Sequence, residues 1–364
     1  MNTEKQETRA KILEVRNLSI EYATKEGLMR AVDDVSFDLH RGQSLGIVGE
    51  SGCGKTTLIK SILRLLPKNG YIAAGTMRFG DEKLDLAGLP AEEMRKVQLA
   101  DIALVSQSAM NSLNPVYTIG WQLIEGIRAH RRVSKQEARK RAVEVFSMVG
   151  LEEKRLDAYP HQLSGGMKQR AIIAMALSLN PSLVIADEPT TALDVVVQGR
   201  ILRRIREIQR QVSSSMIFIT HDISVVGEIC ETIMVMYGGK VMELAPADAF
   251  FRAPYHPYSL GLQKAFPDIV DRNVELVSIP GTPPNLMEEQ TGCRFAPRCP
   301  FAQDTCRGEA PPLRETGAGH SAACWYIEEV QRFRKEAALP ETWERVRERL
   351  ASGEEYNGGT QFEI

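Results

Sequence analysis

An α/β fold with a largely parallel sheet is the expectation for this chain, and three observations carry it. Short apolar runs alternate with stretches of helical spacing. One of these runs feeds a glycine-rich loop, and a later one ends in two adjacent carboxylates. The strand-like runs are Ile12 to Tyr22, Ser44 to Val48, Ile102 to Ser106, Leu183 to Ala186 and Met216 to Thr220.

Ser44-Leu45-Gly46-Ile47-Val48 reads as a buried strand. It runs into Gly49-Glu50-Ser51-Gly52-Cys53-Gly54-Lys55-Thr56-Thr57, which fits the phosphate-loop spacing G-x-x-x-x-G-K-[ST]. Glycines there let successive backbone N–H groups curl around phosphate oxygens. The apolar spacing of Leu58 to Leu66 predicts a helix directly after the loop, and its N-terminal dipole favours anions. Lys55 is placed to reach the β- and γ-phosphates of a nucleotide, and the Thr56 hydroxyl to hold Mg²⁺.

In Leu183-Val184-Ile185-Ala186-Asp187-Glu188-Pro189 an apolar strand ends in two acids. Ligands bind at the carboxyl ends of strands in such sheets, and buried charge is costly unless a cation or a reacting group uses it. Asp187 is therefore the expected Mg²⁺ partner, and Glu188 the carboxylate that polarises an attacking water.

At Leu163-Ser164-Gly165-Gly166-Met167-Lys168-Gln169-Arg170 the chain resembles the ATP-binding subunits of ABC transporters, whose signature sequence this is. The resemblance implies a P-loop NTPase with a RecA-like core, an antiparallel β segment and an inserted helical subdomain at about residues 108–175. It also implies a head-to-tail dimer. Ser164, Gly165, Gly166 and Gln169 would complete the partner's ATP site, and Asp194 would cross the interface. Gln107 corresponds to a residue touching Mg²⁺ and the attacking water, His221 to a switch histidine on the γ-phosphate, and Tyr22 to an aromatic stacked on adenine.

With 364 residues, 43% of them hydrophobic, the chain can bury a large core. A formal charge of −2 and a pI near 6.4 give no footprint for nucleic acid. No apolar run reaches the roughly 18 residues of a membrane span, and residues 1–11 form a polar N-terminal tail without a signal peptide's apolar region. A peripheral protein on the cytoplasmic face of the membrane is the resulting expectation. Ile119 to Gly126 and Lys135 to Val149 read as helices, and two β runs flanking Gly238-Gly239 read as a hairpin. The nucleotide-binding domain is expected over residues 12–252.

From Pro254 onward the chain turns rich in proline and loop residues, and Cys293, Cys299, Cys306 and Cys324 fall within 32 residues. Reduced thiols so grouped suggest a metal staple. Their gaps of five, six and seventeen residues are not the C-x-x-C pairs of common zinc ribbons. Pro254-Tyr255-His256-Pro257-Tyr258, Pro280-Gly281-Thr282-Pro283-Pro284 and Cys293-Arg294-Phe295-Ala296-Pro297-Arg298-Cys299-Pro300 resemble the C-terminal extension of dipeptide and oligopeptide importer ATPases.

That subfamily resemblance implies a [4Fe-4S] cluster on the four cysteines, with zinc as the alternative, in a small loop-rich domain at residues 253–339. Cys53 and Cys230 read as ordinary buried thiols, with Cys53 a possible point of alkylation in the loop. Threonine is usual where Val196 stands. The resemblance spans Ile12 to Ala338, and residues 340–364 are expected to be a flexible tail. It implies a second, homologous ATPase subunit, two membrane permeases and indirectly a substrate-binding protein. Peptide cargo is favoured, with nickel, glutathione-like or oligosaccharide cargo as alternatives and a soluble ABC ATPase of DNA repair or translation as the rival class.

Overall fold

The structure is a computed structural model that describes residues 9–106, 112–189, 195–265, 278–288, 290–317 and 319–352. It opens with strands β1 (Lys11–Thr24), β2 (Gly27–His40) and β3 (Ser44–Val48), then α1 (Lys55–Ile62), β4 (Gly70–Phe79), β5 (Leu84–Asp85), α2 (Ala91–Val97) and β6 (Ile102–Val105). Helices α3 (Ile119–His130), α4 (Lys135–Met148) and α5 (Gly165–Leu177) follow, then β7 (Leu183–Asp187), α6 (Val195–Val212), β8 (Ser215–Ile219) and α7 (Ile223–Ile229). The hairpin β9 (Thr232–Tyr237) and β10 (Lys240–Pro246) leads to α8 (Ala247–Arg252) and α9 (Pro257–Lys264). Last come α10 (Thr305–Gly308), β11 (Arg314–Gly317), β12 (His320–Ala322), α11 (Val330–Glu336) and α12 (Pro340–Ser352).

Two sheets enclose α1. The smaller is antiparallel, in the order β2-β1-β4-β5, and the larger runs β11-β12-β10-β9-β3-β8-β7-β6. Strands β9, β3, β8, β7 and β6 are mutually parallel. β3, β7 and β8 are buried along their whole length, which is why they read as unbroken apolar runs. Their alternate residues divide between two cores. Ile185, Ile217 and Ile219 face the antiparallel sheet and α1, whereas Val184, Ala186, Met216 and Phe218 face the helical side.

The helical subdomain is locally encoded. Ser134 and Glu137 close a capping box on α4, and Thr118 caps α3 by accepting from the Trp121 N–H. Among the described residues no helix is long and apolar enough to cross a membrane.

In the C-terminal segment β12 pairs with β10, through Glu243↔Ala322 and Leu244↔Ser321, and β11 pairs with β12, so these strands extend the main sheet. Phe295, Phe333 and Trp343 join the same core as the helical subdomain. Residues 340–352 are not a flexible tail. They form α12, anchored by Trp343, which is 1% exposed and donates from Nε1 to the Ala337 carbonyl at 3.0 Å. Residues 353–364 lie outside the described residues.

Glu243 fastens the tail to the sheet. Fully buried, it accepts from the backbone N–H groups of Tyr255 (2.8 Å) and His256 (2.9 Å), and its Oε1 lies 2.6 Å from His320 Nε2. Removing it leaves the Tyr255 and His256 N–H groups and the buried His320 imidazole without their acceptor. Glu243→Ala should therefore lower unfolding stability by about 3–5 kcal/mol, the range for breaking a buried polar pair, as read from urea denaturation.

Candidate active site

The phosphate loop joins β3 to α1 in a shape that only glycine permits at two points. Gly49 has φ +152° and Gly54 φ +101°. A Cβ would stand 2.1 Å from the Met236 carbonyl oxygen at the first and 2.3 Å from the Ala31 carbonyl oxygen at the second. Lys55, the first residue of α1, is 7% exposed, and its ammonium donates to the carbonyls of Gly49 (2.7 Å) and Glu50 (2.8 Å). The first turn of α1 carries no acid to compete with a bound anion. Tyr22 on β1 touches the same helix, its hydroxyl 3.1 Å from Thr57 Oγ1.

The two carboxylates take different surroundings at the end of β7. Asp187 is 4% exposed, and burial raises its pKa, a rise opposed by the hydrogen bond from the Thr56 hydroxyl at 3.4 Å. Thr56 and Asp187 thus bring a hydroxyl and a carboxylate together beside the loop, a hard oxygen donor set that suits Mg²⁺. Glu188 sits in the left-handed region at φ +46°, held there by its N–H donating to the Ile219 carbonyl at 2.8 Å. A non-glycine residue in that region is strained, and such strain gathers at functional sites. Its Oε1 lies 3.2 Å from Nδ1 of His221, just past the end of β8. Strand pairing therefore brings Lys55, Thr56, Asp187, Glu188 and His221 to one end of the parallel sheet.

The C-terminal segment also reaches the phosphate loop, which the sequence reading did not foresee. Arg298 binds the Glu50 carboxylate with both terminal nitrogens, at 2.7 and 2.9 Å, and Tyr258 Oη accepts from the Glu50 N–H at 3.0 Å. Burial alone would lower the Arg298 pKa, and its bonds to Glu50 and Tyr237 raise it instead.

The family model described as ABC transporter matches residues 32–191, and the one described as oligopeptide/dipeptide transporter, C-terminal region, matches residues 242–306. A probable peptide ABC transporter ATP-binding protein of Sinorhizobium fredii is 45% identical over 88% of this chain and 96% of its own. The chain belongs to the ABC transporter ATP-binding proteins. The oligopeptide transport ATP-binding protein OppD of Haemophilus influenzae is 43% identical, covering 86% of this chain and 97% of its own. The dipeptide transport ATP-binding protein DppD of Escherichia coli is 41% identical, covering 86% and 96%. Among solved structures, the dimeric post-hydrolysis state of the ATP-binding cassette MJ0796, bound to ADP and Pi, superposes with a TM-score of 0.58 at 29% identity. It covers 65% of this chain and 99% of its own.

In this ABC ATPase the signature stretch begins α5. Ser164 is its N-cap residue and Ser164 and Gly165 are exposed, whereas Gln169 is only 4% exposed. Gln169, expected beside them at the partner's site, is buried within α5. Gln107 and Asp194 lie outside the described residues.

Cys293, Cys299, Cys306 and Cys324 line one cavity together with Phe295, Phe301 and Phe333. Burial raises the Cys293 thiol to about 11 and the Cys324 thiol to about 12, and the charge of Cys306 adds to the rise at both. Yet among the described residues no three His, Cys, Asp or Glu side chains are arranged to hold a metal ion. The thiols converge without forming a ligand cage.

Cys53 is 1% exposed, and burial raises its pKa against the pull of Lys55, whose ammonium lies 3.5 Å from its sulfur. Since the thiolate is the nucleophile, the expectation of an alkylation-sensitive loop reverses. Iodoacetamide at pH 7 should leave Cys53 unmodified in the folded protein and modify it in urea, as followed by peptide mass spectrometry.

Proposed function

We propose that this ABC ATPase powers the import of di- or oligopeptides, working as a dimer on the cytoplasmic face of a membrane and docked on two permease subunits fed by a substrate-binding protein. The convergence of Lys55, Thr56, Asp187, Glu188 and His221 at one sheet end is the observation that carries ATP hydrolysis. Peptide cargo is supported by relatives named for peptide transport that align over most of this chain, and by the match of the C-terminal segment to the oligopeptide/dipeptide transporter region.

In this reading the loop from Gly49 to Thr57 cradles the phosphates of ATP and Tyr22 stacks on adenine. Lys55 moves its ammonium from the Gly49 and Glu50 carbonyls to the β- and γ-phosphates. Mg²⁺ would be held by Thr56 and Asp187, with Gln107 beside them, and would supply charge neutralisation at the phosphate oxygens. Glu188 accepts hydrogen bonds from the attacking water and orients it, and His221, held against Glu188, contacts the γ-phosphate. Ser164, Gly165 and Gly166 complete the partner's site, and Asp194 crosses the interface. The partner is a second, homologous ATPase subunit. Closure of the dimer on ATP and its reopening after hydrolysis drive the permeases.

The tail thiols are, in the same reading, ligands of a [4Fe-4S] cluster, with zinc as the other occupant. Support comes from their shared cavity and from chemistry: four thiols too costly to ionise beside one another become good ligands once a cation neutralises them. Closing the cage requires their side chains to move toward one another.

Glu188→Gln should cut phosphate release at saturating ATP by about 10²–10⁴-fold, the scale of a lost catalytic base, while ATP-bound dimers accumulate on size-exclusion chromatography. Undiminished turnover would falsify the assignment of Glu188. Protein purified anaerobically should contain about four irons and four sulfides per chain, the content of one such cluster, and Cys299→Ser should lose them. A single zinc per chain would make the tail a zinc staple, and neither metal would remove the ligand assignment.

A further inference from the structure

Arg298 stands in the short 3-10 turn Ala296–Arg298, yet its guanidinium ends at the phosphate loop. It is 4% exposed, and all three nitrogens donate. Nε donates to the Pro280 carbonyl (2.7 Å). Nη1 donates to Glu50 Oε2 (2.7 Å) and the Tyr237 hydroxyl (3.1 Å), and Nη2 to Glu50 Oε1 (2.9 Å) and the Ile279 carbonyl (3.2 Å). Such a fork has one orientation, because any rotation breaks several bonds at once.

Glu50 is thereby fixed at three points. Arg298 holds its carboxylate, Tyr258 accepts from its N–H, and its carbonyl accepts from Lys55 Nζ. Two of these three contacts come from beyond the cassette's last hairpin. The anchors are themselves packed, with the rings of Tyr237 and Tyr258 4.7 Å apart and Phe295 within 5.3 Å of both.

We propose that Arg298 is a positioning residue for ATP: by clamping Glu50 it holds the first turn of the phosphate loop in its binding shape, so that ATP need not order it. The proposal rests on reading that loop as the ATP site. Pre-ordering a loop improves affinity by removing its ordering cost from the binding step. The clamp touches neither Glu188 nor His221, so it acts on ATP affinity and leaves the chemical step alone.

The test measures ATP affinity by isothermal titration and steady-state ATPase kinetics on the full-length protein. Wild type, Arg298→Lys, Glu50→Ala and their double variant are compared, with Lys55→Ala as a reference. Lysine cannot reproduce the fork, so Arg298→Lys should weaken ATP binding and raise KM about tenfold, the scale of one charge-assisted hydrogen bond, with kcat within about twofold. Glu50→Ala, which leaves the tail's own residues intact, should do the same. The double variant should be no worse than Glu50→Ala, because Arg298 acts through Glu50.

Independent, additive losses would overturn the proposal, as would a Glu50→Ala protein that binds ATP like wild type while Lys55→Ala does not. Unchanged ATP binding by Lys55→Ala would instead refute the ATP assignment of the loop, and the clamp with it. Should Arg298→Lys fail to fold, Glu50→Ala alone decides.

Discussion

Lys55, Asp187, Glu243, Arg294 and Arg298 are all buried, and taking an unpaired charge out of water is among the most costly steps in folding. Each is met by polar groups, and for all but Lys55 these come from a distant part of the chain. Lys55 uses the loop's own carbonyls, Asp187 the Thr56 hydroxyl, Glu243 the His320 ring and two backbone N–H groups, and Arg298 the Glu50 carboxylate. Arg294 bonds the Gly238 carbonyl and Asp33. These pairings knit the loop, the hairpin and the C-terminal segment together, because none of the elements can shift without stranding a charge.

The geometry of the parallel strands decides where that charge can be useful. Five strands run the same way, so their carboxyl ends gather the turns after β3, β7 and β8 in one place. The loop glycines, the Asp187–Glu188 pair and His221 come from distant segments, yet hydrogen-bond contact joins Thr56 to Asp187, 131 residues apart, and Glu188 to His221, 33 apart. Left-handed Glu188 belongs to the same constraint: its N–H continues the pairing of β7 with β8 while its side chain turns back toward the histidine.

What was legible in the sequence was whatever local chemistry dictates. The phosphate loop, the apolar strands and the Gly-Gly hairpin each carry their cause within a few residues. The tail was illegible for the opposite reason. β12 is three residues long and is a strand because β10 and β11 pair with it on either side. α12 is a charged segment whose few apolar side chains find their neighbours far back in the chain, Trp343 at Gly261 and Leu350 at Gly281. In Cys293-Arg294-Phe295-Ala296-Pro297-Arg298-Cys299 the cysteines drew attention as ligands, and nothing in the spacing said that the arginines between them cross to Asp33 and Glu50.

Those arginines explain why a cassette would carry such an extension against its nucleotide loop. The solved cassette MJ0796 is complete within about two thirds of this chain's length, so the fold itself has no need of the remainder. A segment that still commits a buried, five-bonded arginine and a tyrosine to one loop glutamate acts on how that loop is held. Arg298 adjoins Cys299, and Arg294 adjoins Cys293 and bonds Gly238, whose neighbour Gly239 donates to the Cys53 carbonyl at 3.0 Å. The thiol cavity and the phosphate loop are thus joined through two short, buried and charge-assisted paths. A movement of the turn Ala296–Arg298 would carry Glu50 with it or break the bonds that hold it.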